Sequence, residues 1–146
     1  MNGLPEKLSE IISMLADFED PVERSQILIG FADKFREVPA EIASRPYPEQ
    51  NKIPACESDA YIWCIKQNDG SLKFYFAVEN PSGVSAKALA VILDRALSGL
   101  MPEEIIKVDP DIVHSIFRQN ISMGKGIGLM SMVEAIRTLA RNTLLA

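Results

Sequence analysis

The sequence is poor in the residues that most often carry chemistry, with one histidine and two cysteines among 146 residues. That inventory cannot assemble the ligand set of a zinc site or an iron–sulfur cluster from one chain. A cysteine hydrolase needs a histidine paired with its thiol. The one candidate, His114, lies in Ile112-Val113-His114-Ser115-Ile116, which reads as helix with the imidazole at the surface or the core edge. Basic charge is also short. Fifteen Lys and Arg against twenty Asp and Glu leave a net charge of −5, which supplies no positive field for nucleic acid or an anionic lipid surface. No apolar run approaches the roughly 18 residues of a membrane span, and Met1-Asn2-Gly3-Leu4-Pro5-Glu6-Lys7 lacks the basic and apolar regions of a signal peptide. The expectations are therefore no nucleic acid, no membrane and a cytoplasmic address. Two cysteines without a disulfide framework, Cys56 and Cys64, agree with a reducing compartment.

What is present is ordinary material for a folded domain, 47% apolar and 24% charged, at a length that predicts a single domain over 1–146 without repeats. Leu4, Leu8, Ile11, Ile12, Leu15 and Phe18 recur at helical spacing and predict a first amphipathic helix. Asp20-Pro21-Val22-Glu23 combines a capping carboxylate with proline at the first helical position. It starts a second helix, carrying Val22, Ile27, Leu28, Phe31 and Phe35 and ending by Val38-Pro39. Pro39, Pro46, Pro48 and Pro54 then mark a long ordered loop.

Ala60–Ile65 and Leu72–Val78 are β-rich, and Gln67-Asn68-Asp69-Gly70-Ser71 between them carries tight-turn chemistry, so they predict an antiparallel hairpin. Helices follow over Ala86–Leu97, Pro102–Ile106, Pro110–Phe117 and about Ile127–Leu145. The fold class is α+β: a small antiparallel β-sheet packed against several α-helices. Gly124-Lys125-Gly126-Ile127-Gly128 lacks the spacing and hydroxyl of a phosphate loop and reads as a turn leading into the last helix.

Chemistry centres on Cys56, at the junction of the Pro-stiffened loop and the first strand, where a rigid scaffold can present a sulfur to a large partner. The competing reading is a small hydrophobe tucked under the loop. Glu57 and Asp59 place negative charge beside it, with Lys52 and more distantly Arg45 as counterweights, so activation is left to a docked partner. Cys64 shares a strand face with Ile62, opposite Tyr61, Trp63 and Ile65, and reads as packing. An extended run from Cys56 to Cys64 spans roughly 26 Å, so no stable disulfide is expected between them.

The ordered set of segments resembles the SufE family of sulfur-acceptor proteins. Ile53-Pro54-Ala55-Cys56-Glu57-Ser58-Asp59-Ala60-Tyr61 is similar to that family's Val-x-Gly-Cys-x-Ser-x-Val-Trp signature. Ser85-Ala86-Lys87-Ala88-Leu89, Gly99-Leu100-Met101-Pro102-Glu103-Glu104-Ile105 and Gly128-Leu129-Met130-Ser131-Met132 follow in the family's order. Ala55, Asp59 and Tyr61 stand where the family has Gly, Gln and Trp, and Lys125 stands near the place of a family Arg. The resemblance implies a SufE/IscU-like fold and a sulfur-transfer accessory protein that activates a desulfurase, in place of a stand-alone enzyme. Cys56 would take persulfide sulfur from a cysteine desulfurase and pass it to an iron–sulfur cluster assembly scaffold. Arg45, Lys52, Glu57, Ser58, Asp59 and Lys125 become loop and docking candidates. No cofactor is implied for this chain beyond the transient persulfide, because the pyridoxal phosphate belongs to the desulfurase. Two other functions stay open: a thiol–disulfide redox protein using Cys56 and Cys64, and a non-catalytic interaction domain that kept the fold.

Overall fold

The computed structural model describes residues 3–146, and among these it contains six α-helices and one two-stranded antiparallel sheet. Helix α1, Glu6–Ala16, buries Leu8, Ile12 and Leu15. Helix α2, Pro21–Ala32, starts where Asp20 accepts the Val22 N–H at 3.1 Å. It stops at Ala32, short of Val38. The Lys34 and Phe35 amides close back on the Phe31 and Ala32 carbonyls, and Val38 then donates to the Phe76 carbonyl at 2.8 Å. The chain leaves the helix to bond the sheet, a tertiary preference that overrides the remaining helical pattern. Val22, placed on the core face by its spacing, is 65% exposed.

Strands β1, Ala60–Lys66, and β2, Leu72–Val78, pair with Ile62 opposite Phe76 and Trp63 opposite Tyr75. Asp69 shapes the hairpin turn by accepting the Ser71 N–H at 2.9 Å, and Gly70 supplies a left-handed φ of 90°. Helix α3, Val84–Leu97, is the central element, buried along most of its length and packed on α1, α2, β2 and α6. Helices α4, Pro102–Ile105, α5, Ile112–Phe117, and α6, Met123–Leu145, complete the order. Ile62, Phe74, Phe76, Leu89, Ile92 and Phe117 lie in one core shared by sheet and helices. Each fully buried side chain of this kind contributes about 1.5–3 kcal/mol relative to exposure.

The opposite face of the hairpin has its own small core of Val38, Tyr61, Trp63 and Ala77, roofed by Ile42, Ala43 and Tyr47. The Tyr47 ring lies 5.2 Å from Tyr61 and 5.1 Å, edge-on, from Trp63, a favourable aromatic arrangement. The proline-rich segment thus crosses the sheet from the edge of β2 at Val38 to the edge of β1. There Lys52 bridges Tyr61 and Asn51 donates to the Ile62 carbonyl at 3.0 Å. Proline suits this path because a roof over side chains needs few backbone donors.

Arg24 of α2 is 1% exposed and has no carboxylate partner among the described residues. Its Nη1 donates to the Leu15 and Phe18 carbonyls, and its Nη2 to those of Ser115 at 2.8 Å and Ile116 at 2.7 Å. These carbonyls close the C-terminal ends of α1 and α5, where the helix dipole is negative, so one guanidinium fork ties together two helix ends.

Candidate functional site

The 54–59 loop is a short excursion whose base is pinned. Ile53 donates to the Ala60 carbonyl at 2.8 Å, one residue beyond it Lys52 bridges Tyr61, and the Lys52 ammonium lies 3.5 Å from the Asp59 carboxylate. Within the loop the Asp59 N–H reaches the Cys56 carbonyl at 3.4 Å, and the Ser58 and Asp59 carbonyls accept from Asn80 at 3.2 Å and Glu79 at 3.1 Å. Cys56 sits at the bend, half-buried, with its side chain at the margin of the main core. Both readings of this cysteine are thus partly realised: it is presented at a loop, and one side of it is covered.

Two residues of the loop adopt left-handed backbone, Ala55 at φ 59° and Asp59 at φ 50°. Asp tolerates this region, but an alanine there costs about 1–2 kcal/mol. The position where the resembled signature carries Gly is therefore one whose backbone favours Gly, and the loop holds the strained form because its surroundings fix it.

Those surroundings are two glycines and a serine. A Cβ on Gly128 of α6 would lie 2.9 Å from the Ala55 carbonyl oxygen and 3.4 Å from the Cys56 Cα. One on Gly83, before α3, would lie 3.0 Å from the Ser58 side chain. The Ser131 hydroxyl of α6 donates to the Pro54 carbonyl. The loop backbone is thus seated directly on α6. The spacing predicts a start for this helix near Ile127 after a turn at 124–128, whereas those residues are helical and the helix begins at Met123, capped by the Ser122 hydroxyl, which accepts the Lys125 N–H at 3.2 Å. Gly126 and Gly128 both weaken helical propensity, but only Gly128 permits the close approach of the loop. Gly128 is the available sequence signal for this contact.

Cys56 lies between two spaces. On one side is a recess of about 20 Å³, formed with Gly83, Ala86, Gly124, Lys125 and Leu129. This is little more than the volume that admits a single water-sized sphere. On the other is an open depression of about 610 Å³ lined by Glu49, Lys52, Ile53, Pro54 and Glu57. Glu57 borders both, Ser58 and Lys125 border only the recess, and Lys52 borders only the open side. The Lys52 ammonium is held above its ordinary pKa chiefly by Asp59, with Glu49 second.

Arg45 is elsewhere. It reaches Glu37 at 2.8 Å and Glu79 at 3.6 Å beside the Tyr47 ring, so it fastens the roof over the second core and lines neither space. His114 is exposed on α5 and also lines neither.

The second thiol differs in kind. Cys64 faces the main core with Ile62, about 13 Å along β1 from Ala60 and away from the loop. Burial pushes its pKa up to about 11, so at neutral pH its thiolate is scarce. Both cysteines are free. The arrangement offers one sulfur for nucleophilic chemistry and keeps the other in reserve as packing.

A SufE family model, described as "Fe-S metabolism associated domain", matches residues 9–140. The chain is 26% identical over 145 residues to the "Cysteine desulfuration protein SufE" of Plasmodium falciparum, covering 97% of this chain and 57% of that protein. It is 25% identical over 138 residues to "SufE-like protein 1, chloroplastic/mitochondrial" of Arabidopsis thaliana, covering 94% and 35%. The chain therefore spans about half the length of the first relative and a third of the second. The solution structure of a hypothetical protein from Thermus thermophilus aligns with a TM-score of 0.75 at 21% identity over 98% of this chain and 99% of that one, so the two share a fold.

Proposed function

The chain belongs to the SufE family, and from that membership together with the placement of Cys56 we propose that it accepts sulfur from the persulfide of a cysteine desulfurase and carries it toward iron–sulfur cluster assembly. The observation that carries this reading is the half-exposed Cys56 on a loop pinned at its base and seated on α6. The Cys56 thiolate attacks the terminal sulfur of the desulfurase persulfide. A bond forms between Cys56 Sγ and that sulfur, the bond to the desulfurase cysteine breaks, and its electron pair leaves as the desulfurase thiolate. The exchange needs no external oxidant, since one sulfur–sulfur bond replaces another. Passing the sulfur to an assembly scaffold repeats the step with the roles reversed.

The two spaces suit the two halves of this cycle. The open depression gives a partner's active site access to the sulfur, and Lys52 and Glu57 stand at its rim as docking charges. The 20 Å³ recess on the other side has room beside Cys56 for about one added atom. Pyridoxal phosphate remains with the desulfurase, and the only group this chain carries is the persulfide. We place the reaction in the cytosol, where both thiols stay reduced. No helix among the described residues is long and apolar enough to cross a membrane.

Desulfurase turnover measured with and without this protein tests the reading. Wild-type protein is expected to raise the rate at saturating cysteine several-fold, and Cys56→Ser to return it to the unassisted value. Stimulation that survives the substitution would replace sulfur acceptance with an allosteric role, as in the interaction-domain reading.

A further inference from the structure

The outer edge of β2 is sealed at both ends and open in the middle. At one end Leu72 exchanges bonds with Leu100 and Gly99, and the Phe74 N–H is taken by the Ser98 hydroxyl at 3.1 Å. At the other the Phe76 carbonyl is taken by Val38. Between them the Phe74 carbonyl and the Phe76 N–H have no partner among the described residues. They border a cleft of about 810 Å³ between α3 and the 33–39 segment, which shares no lining residue with the spaces beside Cys56.

The pair left open has a definite pattern. An antiparallel neighbour bonds the N–H and the carbonyl of one and the same residue, and at Phe74 and Phe76 one of the two is already engaged. A parallel neighbour instead donates to the carbonyl of one residue and accepts from the N–H two positions on, and Phe74 carbonyl with Phe76 N–H is that pair. The charges around the cleft are uneven. Lys73 is matched to Asp94 at 2.6 Å and Glu37 to Arg45 at 2.8 Å. Lys34, Arg36 and Arg95 then face only Asp33, with no ion pair of their own among the described residues.

We propose that this cleft is a second docking site, separate from the sulfur site, which takes an extended acidic segment of a partner protein as a parallel strand on β2. Backbone bonds to Phe74 and Phe76 give the segment its direction, and Lys34, Arg36 and Arg95 select its charge.

The probe is a synthetic peptide of alternating Val and Glu, titrated into the full chain labelled for amide NMR. The Phe76 amide is expected to shift saturably and to exchange more slowly with solvent. The same peptide N-methylated throughout, the peptide with Lys for Glu, and the folded double variant Arg36→Glu with Arg95→Glu are each expected to weaken binding about tenfold or more. A Phe76 amide that does not respond would overturn the proposal, as would equal binding of the lysine or the N-methylated peptide. Because the cleft is distinct from Cys56, Cys56→Ser should bind the probe like wild type whether or not sulfur transfer occurs, which separates this site from the function proposed above.

Discussion

Gly128→Val is expected to slow sulfur transfer to Cys56 on the order of 10- to 100-fold while the helical circular dichroism stays native. The side chain added at Gly128 begins with a Cβ 2.9 Å from the Ala55 carbonyl oxygen. Its neighbour is backbone, which cannot rotate away as a side-chain tip could. The 54–59 loop must lift from α6, taking Cys56 with it and opening the recess behind the sulfur. The comparison is Gly30→Ala in α2, where nothing lies within 4 Å of the added methyl. That change should leave transfer untouched and add about 0.5–1 kcal/mol of stability through helix propensity. A Gly128→Val protein with native transfer rates would remove α6 from the account of how Cys56 is held.

The second large effect is on stability. Arg24→Leu removes the guanidinium donors from the carbonyls of Leu15, Phe18, Ser115 and Ile116 at one stroke, and of these Leu15 keeps the Phe18 N–H at 3.1 Å. Each buried carbonyl left without a partner costs about 1–3 kcal/mol, and some rehydration at the helix ends brings the expected total to about 3–5 kcal/mol. Denaturant titration should place the midpoint far below that of wild type with an unchanged slope. Arg24→Lys keeps the charge but offers a point donor in place of a fork, and should recover only part of the loss. A leucine variant within about 0.5 kcal/mol of wild type, the range of ordinary surface substitutions, would show that the fork is incidental.

Where local chemistry governs, the sequence was readable. Asp20 caps α2 as its place before Pro21 implies, Asp69-Gly70 makes the hairpin turn, and the strand alternation correctly sets Cys64 beside Ile62. Cys56 at a loop bend was legible from the prolines before it and the β-rich run after it. Contacts between distant segments were less so. Nothing in the residues after Ala32 signals a stop, because Val38 leaves the helix to bond Phe76, some forty positions away. The early start of α6 is hidden by three glycines at 124, 126 and 128, of which Gly128 serves the approach of Ala55. Tyr61 and Trp63 share a strand face by alternation, but Tyr47 joins them only because the proline-rich segment crosses the sheet. Arg45, a candidate counterweight to Cys56 in sequence, is committed to Glu37 and Glu79, a choice that the chain path alone decides.

The spacing of the strand alternation also bears on the redox alternative. Cys64 is on the core face of β1 with its pKa raised by burial to about 11, and both thiols are free. A redox pair would need the two sulfurs within bonding reach and one of them readily ionised. Sulfur carriage needs only the first thiol. The short supply of cysteine and histidine is therefore no obstacle to the proposed function, which asks for a single placed sulfur and surfaces that partners can meet.

The most direct measurement is the intact mass of the protein after anaerobic incubation with a cysteine desulfurase and cysteine. Wild type and Cys64→Ser are expected to gain the mass of one sulfur atom, released again by a reducing thiol, and Cys56→Ser to gain none. The same gain in Cys56→Ser, or none in wild type under conditions where the desulfurase itself carries a persulfide, would contradict the account.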